Sequence, residues 1–289
     1  VWHQAFRQGL RELGYVEGKN ILIEYRYAEG KSDRLPDLAA DLVRLKVDII
    51  VASVNTDALA AKNATKTIPI VVASAGDPVA FGLVESLAHP GGNVTGVSQL
   101  SPELAGKRLE LLKEIVPKLY RVAVLWNPRG TTSPLAWKEI QLPARALKIQ
   151  LHSLEVSSSD NFASAFKEAV KARSGALVIM PDPLFAGNLK QLAEFAAKNR
   201  LPAVFHLTEF VEAGGLVAYG VDRSDQFRRA AVFVDKILKG RTPADLPVEQ
   251  PMKFELVFNL NAAKRIGLTI PQWTLMKADK VFQYPRCDA

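Results

Sequence analysis

The sequence predicts an α/β protein of two lobes, each a doubly wound parallel β-sheet with helices on both faces. Short apolar runs rich in β-branched residues alternate with amphipathic stretches, at a spacing of roughly 20–25 residues that is typical of βαβ units. This alternation runs from Ile21 to Ser98 and restarts at Arg121. The chain has 289 residues, enough for two domains of ordinary size. The restart therefore indicates a second lobe.

The first lobe opens with a helix, because Phe6, Leu10 and Leu13 recur at helical spacing. Gly14 suits the residue that follows a helix end. The next predicted elements are a half-exposed strand at Ile21–Tyr27, a helix at Leu35–Leu45, a buried strand at Val47–Ala52 and a helix that begins near Thr56.

The stretch Ile68–Ser98 organises the first lobe. Its apolar opening, Ile68–Ala73, predicts a strand buried on both faces of a parallel sheet. Asp77 and Pro78 suit the N-cap and first residue of a helix, which a Pro-Gly-Gly loop ends before a further strand, Val94–Val97. The carboxyl end of such a buried strand is where open α/β sheets bind ligands.

The second lobe repeats the pattern after a long amphipathic helix, Leu104–Ile115. Its predicted strands are Arg121–Trp126, Gln150–Val156, Ala176–Met180, Ala203–His206 and Leu216–Tyr219. Its predicted helices are one that runs through Trp137 and Leu147, Phe162–Ala172 and Leu189–Lys198, and the chain continues with a helix at Arg223–Leu238 and an extended segment at Met252–Leu260.

Composition excludes several classes of protein. The net charge of +7 is spread along the chain, without the basic, aromatic-interleaved runs that bind nucleic acid. No apolar run approaches the ~20 residues of a membrane span. One cysteine, Cys287, allows neither a disulfide framework nor a thiolate metal cluster. The four histidines lie apart, and nucleotide-binding and hydrolase motifs are missing. We therefore expect no enzyme, no metal and no cofactor.

Five stretches together resemble one family of proteins. They are IPIVVASAGDPVAFGLVESLAHPGGNVTGVS (68–98), FRQGLRELGYVEGKNILIEYRYAEG (6–30), RLPDLAADLVRLKVDIIVA (34–52), KRLELLKEIVPKLYRVAVLWNP (107–128) and ILKGRTPADLPVEQPMKFELVFNLNAAKRIGLTIP (237–271). Through these residues nearly the whole chain resembles the ABC-transporter substrate-binding proteins of the type I periplasmic-binding fold. That family includes tryptophan- and tyrosine-type uptake components.

The resemblance implies a three-strand hinge between the lobes, with crossings that we place near Val97–Pro102, Tyr219–Arg223 and Pro247–Pro251. The N-terminal lobe would comprise residues 1–98 and 223–247, and the C-terminal lobe residues 99–222 and 248–289, with the ligand cleft between them. In the family an export signal and a first strand precede the opening helix. We therefore expect this sequence to lack the first strand of the N-terminal lobe.

Polar residues just beyond strand ends are the predicted ligand-binding residues, since the resembling fold brings these loops together across a cleft. Structural alternatives exist for each: Thr56 as a helix cap, Asn127 and Asp182 as turn residues before proline, His206 as a hydrogen-bonded structural histidine. The predicted set is Ser53, Asn55, Thr56, Ser74, Trp126, Asn127, Asp182, His206, Thr208 and Asp222.

The predicted ligand is a small organic molecule with a carboxylate, either an amino acid or an aromatic acid. We expect its carboxylate at helix N-termini of the first lobe, aided by the hydroxyls of Ser53, Thr56 and Ser74. An ammonium group would pair with Asp222, or failing that with Asp182, in the second lobe.

The function that the resemblance implies is that of a periplasmic or otherwise extracytoplasmic solute-binding protein. We expect a monomer that captures a small molecule by lobe closure and delivers it to an ABC permease of the inner membrane. The alternative is the ligand-sensing core of a bacterial regulator or sensor, which shares the fold. An enzyme on a doubly wound fold is the third possibility.

Overall fold

A computed structural model describes residues 2–29, 31–99, 103–130 and 133–283. Cys287 and residues 100–102 of the first predicted crossing lie outside these ranges. The α-helices are α1 (Trp2–Glu12), α2 (Leu35–Arg44), α3 (Asn55–Ala64), α4 (Glu103–Ile115), α5 (Ser133–Ala146), α6 (Phe162–Lys171), α7 (Pro183–Ala186), α8 (Leu189–Lys198), α9 (Glu209–Glu212), α10 (Arg223–Leu238), α11 (Leu260–Ile266) and α12 (Gln272–Leu275). The strands are β1 (Ile50–Ala52), β2 (Ile70–Ala75), β3 (Val94–Ser98), β4 (Arg121–Trp126), β5 (Gln150–Glu155), β6 (Ala176–Ile179), β7 (Ala203–Phe205), β8 (Val217–Val221), β9 (Phe254–Asn259) and β10 (Lys280–Phe282). Among the helices of these ranges, none combines the length and apolar character needed to cross a membrane.

The chain divides into two compact units. The first comprises Val1–Ser101 and Asp222–Lys253, and the second Pro102–Val221 and Phe254–Ala289. The chain thus leaves the first unit for the last time after residue 253, later than the predicted boundary at residue 247. The reason is local packing, because Val248 joins the core beneath β2 and Glu249 forms a bridge with Val97 of β3.

The first unit contains a parallel sheet in the order β1-β2-β3. All residues of β2 are buried, since helices cover both faces. Ile70 and Val72 pack with Ala58 of α3, whereas Val71 and Ala73 pack with α1 and α10. Successive side chains of a strand point to opposite faces, so a strand covered on both sides is apolar throughout.

Helices α1 and α10 pack closely on the second face of this sheet. A side chain at Gly9 of α1 would place its Cβ 2.8 Å from the carbonyl oxygen of Arg228 in α10. Leu10 beside it joins the core that contains Ala230 and Ala231. The first unit therefore depends on two helices that are distant in sequence.

The strand predicted at Ile21–Tyr27 is not formed. Ile21 makes one bridge with Glu17, and the residues after it have no ladder partner within the described ranges. Ile21 and Ile23 pack against the core, while Leu22 is exposed. The alternation of inward and outward side chains is therefore present, but a strand also needs a neighbour that completes its backbone hydrogen bonds.

The helix predicted after Asp77 is also wrong, because the segment forms turns. Oδ1 of Asp77 accepts hydrogen bonds from the N–H groups of Val79 and Ala80, at 3.1 and 2.9 Å. Gly82 then adopts a left-handed conformation with φ of 64°. A left-handed residue ends a right-handed helical turn, so the cap is formed without the helix.

Seven strands form the sheet of the second unit, in the order β10-β9-β8-β7-β6-β4-β5. Its neighbouring strands run parallel except β8 and β9, which are antiparallel with Tyr219 opposite Leu256. This corrects the prediction of a wholly parallel sheet. Strand β9 enters after the chain has passed through the first unit, so no βαβ crossover sets its direction.

Candidate functional site

Strand β4 is a topological switch point of the second sheet, because β5 lies on one side of it and β6 on the other. Open α/β sheets bind ligands in the crevice beside such a point, at the carboxyl ends of the strands. Asn127 directly follows β4, and Asp182 lies in the loop after β6. Nδ2 of Asn127 donates a hydrogen bond to Oδ1 of Asp182 over 3.2 Å. The structure thus brings two predicted site residues together.

Asp182 is a buried carboxylate that is 5% exposed. Its Oδ1 also accepts from the N–H of Leu184 at 2.9 Å and caps the short helix α7. Its Oδ2 has no hydrogen-bond partner among the described residues and faces the backbone of Gly130. A Cβ at Gly130 would lie 1.9 Å from that oxygen. Asp182 is therefore both a turn residue and a buried charge at the switch point.

Two serines complete this cluster. Oδ1 of Asn127 accepts from Oγ of Ser157 at 3.0 Å, and the N–H of Asn127 donates to Oγ of Ser133 at 3.0 Å. Neither serine belongs to the predicted set. Ser157 follows the end of β5, so the rule that selected Asn127 would have found it, whereas Ser133 lies at the start of α5 and carried no such signal.

Trp126 ends β4, and its indole is engaged by neighbouring elements. Its Nε1 donates to Oγ of Ser153 at 2.7 Å, and its ring stacks on Trp137 of α5 with centroids 5.5 Å apart. These contacts hold the loop that begins at Asn127.

His206 and Thr208 lie in the loop after β7, at the same edge of the sheet. The His206 ring meets the Phe205 ring edge-on, with centroids 4.3 Å apart. The backbone carbonyl oxygen of His206 lies close to Gly220 of β8. A Cβ at Gly220 would lie 1.9 Å from that oxygen. Thr208 is half-buried and precedes α9 without capping it through its side chain.

Arg108 of α4 is a buried cation outside the predicted set. Arg108 is 7% exposed, and its Nε donates to the carbonyl oxygen of Tyr219 at 2.8 Å. Burial lowers the pKa of the guanidinium to about 10, which leaves it charged at neutral pH. Its partner lies 111 residues away in sequence, so its burial could not be predicted from the chain alone.

In the first unit, Asn55 joins the loops that follow β1 and β2. Asn55 is buried, and its Oδ1 accepts from the N–H of Gly76 at 3.0 Å. Oγ of Ser98, at the end of β3, donates to the carbonyl oxygen of Gly76 at 3.3 Å. The carboxyl ends of the three strands are therefore tied together.

A carboxylate of the chain, Asp57, lies in the first turn of α3. Oγ1 of Thr56 donates to Oδ1 of Asp57 at 3.2 Å. Burial raises the pKa of Asp57, while hydrogen bonds from Thr56 and from the backbone of Val54 and Ser53 oppose that shift. A carboxylate in the third helical position that bonds back to the start of the helix resembles a capping box.

Both loops of the first unit in which donors are predicted to bind a ligand carboxylate already contain a carboxylate of the chain. Asp57 accepts from the hydroxyl of Thr56, and Asp77 accepts from the N–H groups of Val79 and Ala80 in the turn after β2. A ligand carboxylate beside either would meet a like charge, which is unfavourable.

Ser74 belongs to a buried polar network instead of an open donor surface. It is fully buried, and its Oγ donates to Oε1 of Gln226 at 2.7 Å and accepts from Nε2 of Gln99. Nε2 of Gln226 donates to the carbonyl oxygen of Ser98 at 2.9 Å. The network fixes the ends of β2 and β3 against α10.

Asp222 belongs to the first unit, although it was predicted to lie in the second lobe. It caps α10, because its Oδ1 accepts from the N–H of Asp225 at 3.1 Å. Its N–H donates to the carbonyl oxygen of Lys253 at 3.1 Å, which holds it to the segment that ends the first unit. Its Oδ2 makes no hydrogen bond within the described part of the chain.

No group of three or more His, Cys, Asp or Glu side chains in the described ranges is placed to hold a metal ion.

Comparisons with known proteins give the family. The model of the family described as ABC transporter substrate binding protein matches residues 2–282. A tyrosine-binding protein of Clostridioides difficile (strain R20291) is 29% identical over 266 residues, which cover 92% of this chain and 76% of that protein.

Two solved structures match with a TM-score of 0.86, and each alignment covers 96% of this chain and 93% of the other. One, 27% identical, is an ABC domain from Streptococcus pneumoniae in complex with L-Trp. The other, 32% identical, is a conserved domain protein from Vibrio cholerae. The predicted type I periplasmic-binding fold is confirmed. The chain belongs to the family of ABC transporter substrate-binding proteins.

Proposed function

We propose that this protein is an extracytoplasmic receptor that closes its two units on an aromatic amino acid such as tyrosine or tryptophan. The observation that carries the proposal is the polar cluster at the switch point of the second sheet, where Asn127 meets the buried carboxylate of Asp182. Open α/β sheets bind ligands at such points. The tyrosine-binding protein of Clostridioides difficile and the ABC domain in complex with L-Trp support the same ligand class here.

The carboxylates of the first unit favour an ammonium group there. Asp57 accepts from the hydroxyl of Thr56, Asp77 caps the turn after β2, and Asp222 keeps one carboxylate oxygen outside the hydrogen bonds of the described residues. We propose that Asp222 accepts the ammonium group of the ligand. An ammonium ion desolvated by closure requires a carboxylate partner.

The predicted site residues divide into two roles in this proposal. Ligand contact is proposed for Ser53, Thr56, Asn127, Asp182, His206, Thr208 and Asp222. Asn55, Ser74 and Trp126 are proposed to hold these residues in place, because each is engaged inside its own unit.

Isothermal titration calorimetry with L-tyrosine, L-tryptophan and glycine tests the ligand class. We expect an aromatic amino acid to bind with micromolar affinity, about −8 kcal/mol, and glycine to bind far more weakly because it buries no ring. Small-angle X-ray scattering should show a smaller radius of gyration with the aromatic ligand. A folded protein that binds neither aromatic amino acid would contradict the proposal.

Delivery to an ABC permease of the inner membrane is the further step that we propose, with the receptor acting as a monomer. Reconstituted with its cognate ABC permease, the loaded receptor should stimulate ATP hydrolysis more than the empty receptor. Light scattering should give a monomer mass with and without ligand.

A further inference from the structure

Arg108 is buried without a counter-charge in contact. Within the described residues its one hydrogen bond goes to the neutral carbonyl oxygen of Tyr219, and no carboxylate forms an ion pair with it. Glu139 of α5 attracts it only through a longer-range interaction. Removing a guanidinium from water is costly unless an anion and further hydrogen bonds compensate. This arrangement therefore calls for an anion that the described residues do not supply.

The contact of Arg108 with β8 places its guanidinium near the carboxyl edge of the second sheet. Phe205, the last residue of β7, pairs with Ala218 of β8. Tyr219 is thus the first residue of β8 beyond the β7 ladder, where its carbonyl is open to a side-chain donor. Nε of Arg108 donates a hydrogen bond to this carbonyl oxygen. The contact lies beside the end of β7, where the loop that contains His206 and Thr208 begins.

The predicted donors of the first unit are poorly placed to bind a ligand carboxylate. The N–H groups after β2 that the sequence predicts as an anion site already bind Asp77, and after β1 the hydroxyl of Thr56 donates to Asp57. The hydroxyl of Ser74 is fully buried and engaged. A carboxylate therefore finds its complement in the second unit.

We propose that Arg108 binds the carboxylate of the ligand through its two terminal nitrogens. The planar guanidinium presents paired donors that match the two oxygens of a carboxylate. With Asp222 as the ammonium partner, the two charges of one amino acid bind different units, the reverse of the polarity that the sequence predicts. This inference rests on the proposed function, because it names the group that the same ligand presents.

Calorimetry with matched ligands tests the assignment. L-Tyrosine and L-tyrosinamide differ at the carboxylate and keep the ring and the amino group. The unmodified protein should bind the acid about 100-fold more tightly than the amide. The Arg108→Met variant should bind the acid about 100-fold more weakly than the unmodified protein does. Its affinity for the amide should stay within about threefold of the unmodified value. Arg108→Lys should fall between, because it keeps the charge and loses the paired donors.

Lys107→Met is the matched control. It removes the same charge from the adjacent residue of α4, whose ammonium pairs with Glu110 at the surface over 2.8 Å. We expect it to bind both ligands as the unmodified protein does. If Arg108→Met loses its thermal transition, Arg108→Lys supplies the comparison.

Three results would overturn the inference. Equal losses for acid and amide would show that Arg108 acts by holding Tyr219 in place. Unchanged affinity for the acid would remove Arg108 from the site. An unmodified protein that binds no aromatic amino acid would overturn the proposed function, and this inference with it.

Discussion

The side-chain amide of Asn127 and the carboxylate of Asp182 meet across 3.2 Å, although 55 residues separate them in sequence. Each residue follows a different strand of the second sheet, and the backbone of Gly130 lies over the remaining carboxylate oxygen. The contact fixes the shape of the crevice beside β4. A substitution at Gly130 tests how closely the loop approaches Asp182.

Gly130→Ala should destabilise the protein by about 1–3 kcal/mol, the usual cost of forcing an atom into a packed site. The added Cβ would come 1.9 Å from Oδ2 of Asp182, so the loop or the carboxylate must move. Gly92→Ala is the control, because no atom lies within 4 Å of its Cβ position. Urea unfolding measures both variants, and equal midpoints would contradict the close approach.

Gln226→Met should cost about 1–3 kcal/mol, since it removes the acceptor of the buried Ser74 hydroxyl and a donor to the carbonyl oxygen of Ser98. Methionine keeps the length of the side chain, so little cavity forms. Gln8→Met removes an exposed bond to Glu12 and should change stability by less than about 0.5 kcal/mol. A Gln226→Met variant as stable as this control would show that the network contributes nothing.

Asp57→Asn should change how stability depends on pH. The pKa of Asp57 is raised by burial, so the folded state holds its proton more tightly than the unfolded chain does. Stability therefore falls as pH rises through the window from an ordinary carboxyl value, about 4, to the raised one. The variant lacks this loss, so its stability relative to the unmodified protein should increase with pH. Denaturant unfolding across that window measures it, with Asp160→Asn at an exposed site as control; a difference independent of pH would contradict the shift.

Asp222→Asn should weaken the binding of L-tyrosine by about 2–4 kcal/mol, which is the usual cost of leaving a desolvated ammonium without its charge partner. Asparagine also caps helices well, so α10 and the melting temperature should be retained. The des-amino analogue, 3-(4-hydroxyphenyl)propionate, should bind variant and unmodified protein alike. Calorimetry that shows the same loss for both ligands, or none, would remove Asp222 from ammonium recognition.

Elements whose signal is local were predicted closely. Strand β4 has the predicted bounds, Arg121–Trp126, and α10 has the predicted bounds, Arg223–Leu238. An uninterrupted apolar run or an amphipathic stripe bounded by caps is contained in the segment itself. Failures came where the outcome depends on distant residues. The alternation at Ile21–Tyr27 is that of a strand, but no described strand pairs with it.

The site residues also divide into those with a local sequence signal and those whose environment depends on distant residues. Asn127 and Asp182 were found because polar residues after strand ends are visible in sequence, and the topology then joined them. Arg108 was not found, because a charged residue in an amphipathic helix normally points to water. Its burial follows from Tyr219, which the fold brings to it from the other end of the second unit. Asp57 was missed because Thr56 beside it was taken for the cap.

The close packing of α1 against α10 has a consequence for biosynthesis. The first helix leaves the ribosome early, but its partner is translated only after the whole segment from Pro102 to Val221. Until then the apolar face around Leu10, Val71 and Ala73 has no α10 to cover it. Domains generally fold as units during synthesis. Here the first unit cannot complete its packing until α10 has been made, so the nascent chain leaves one face of the first sheet uncovered for most of translation.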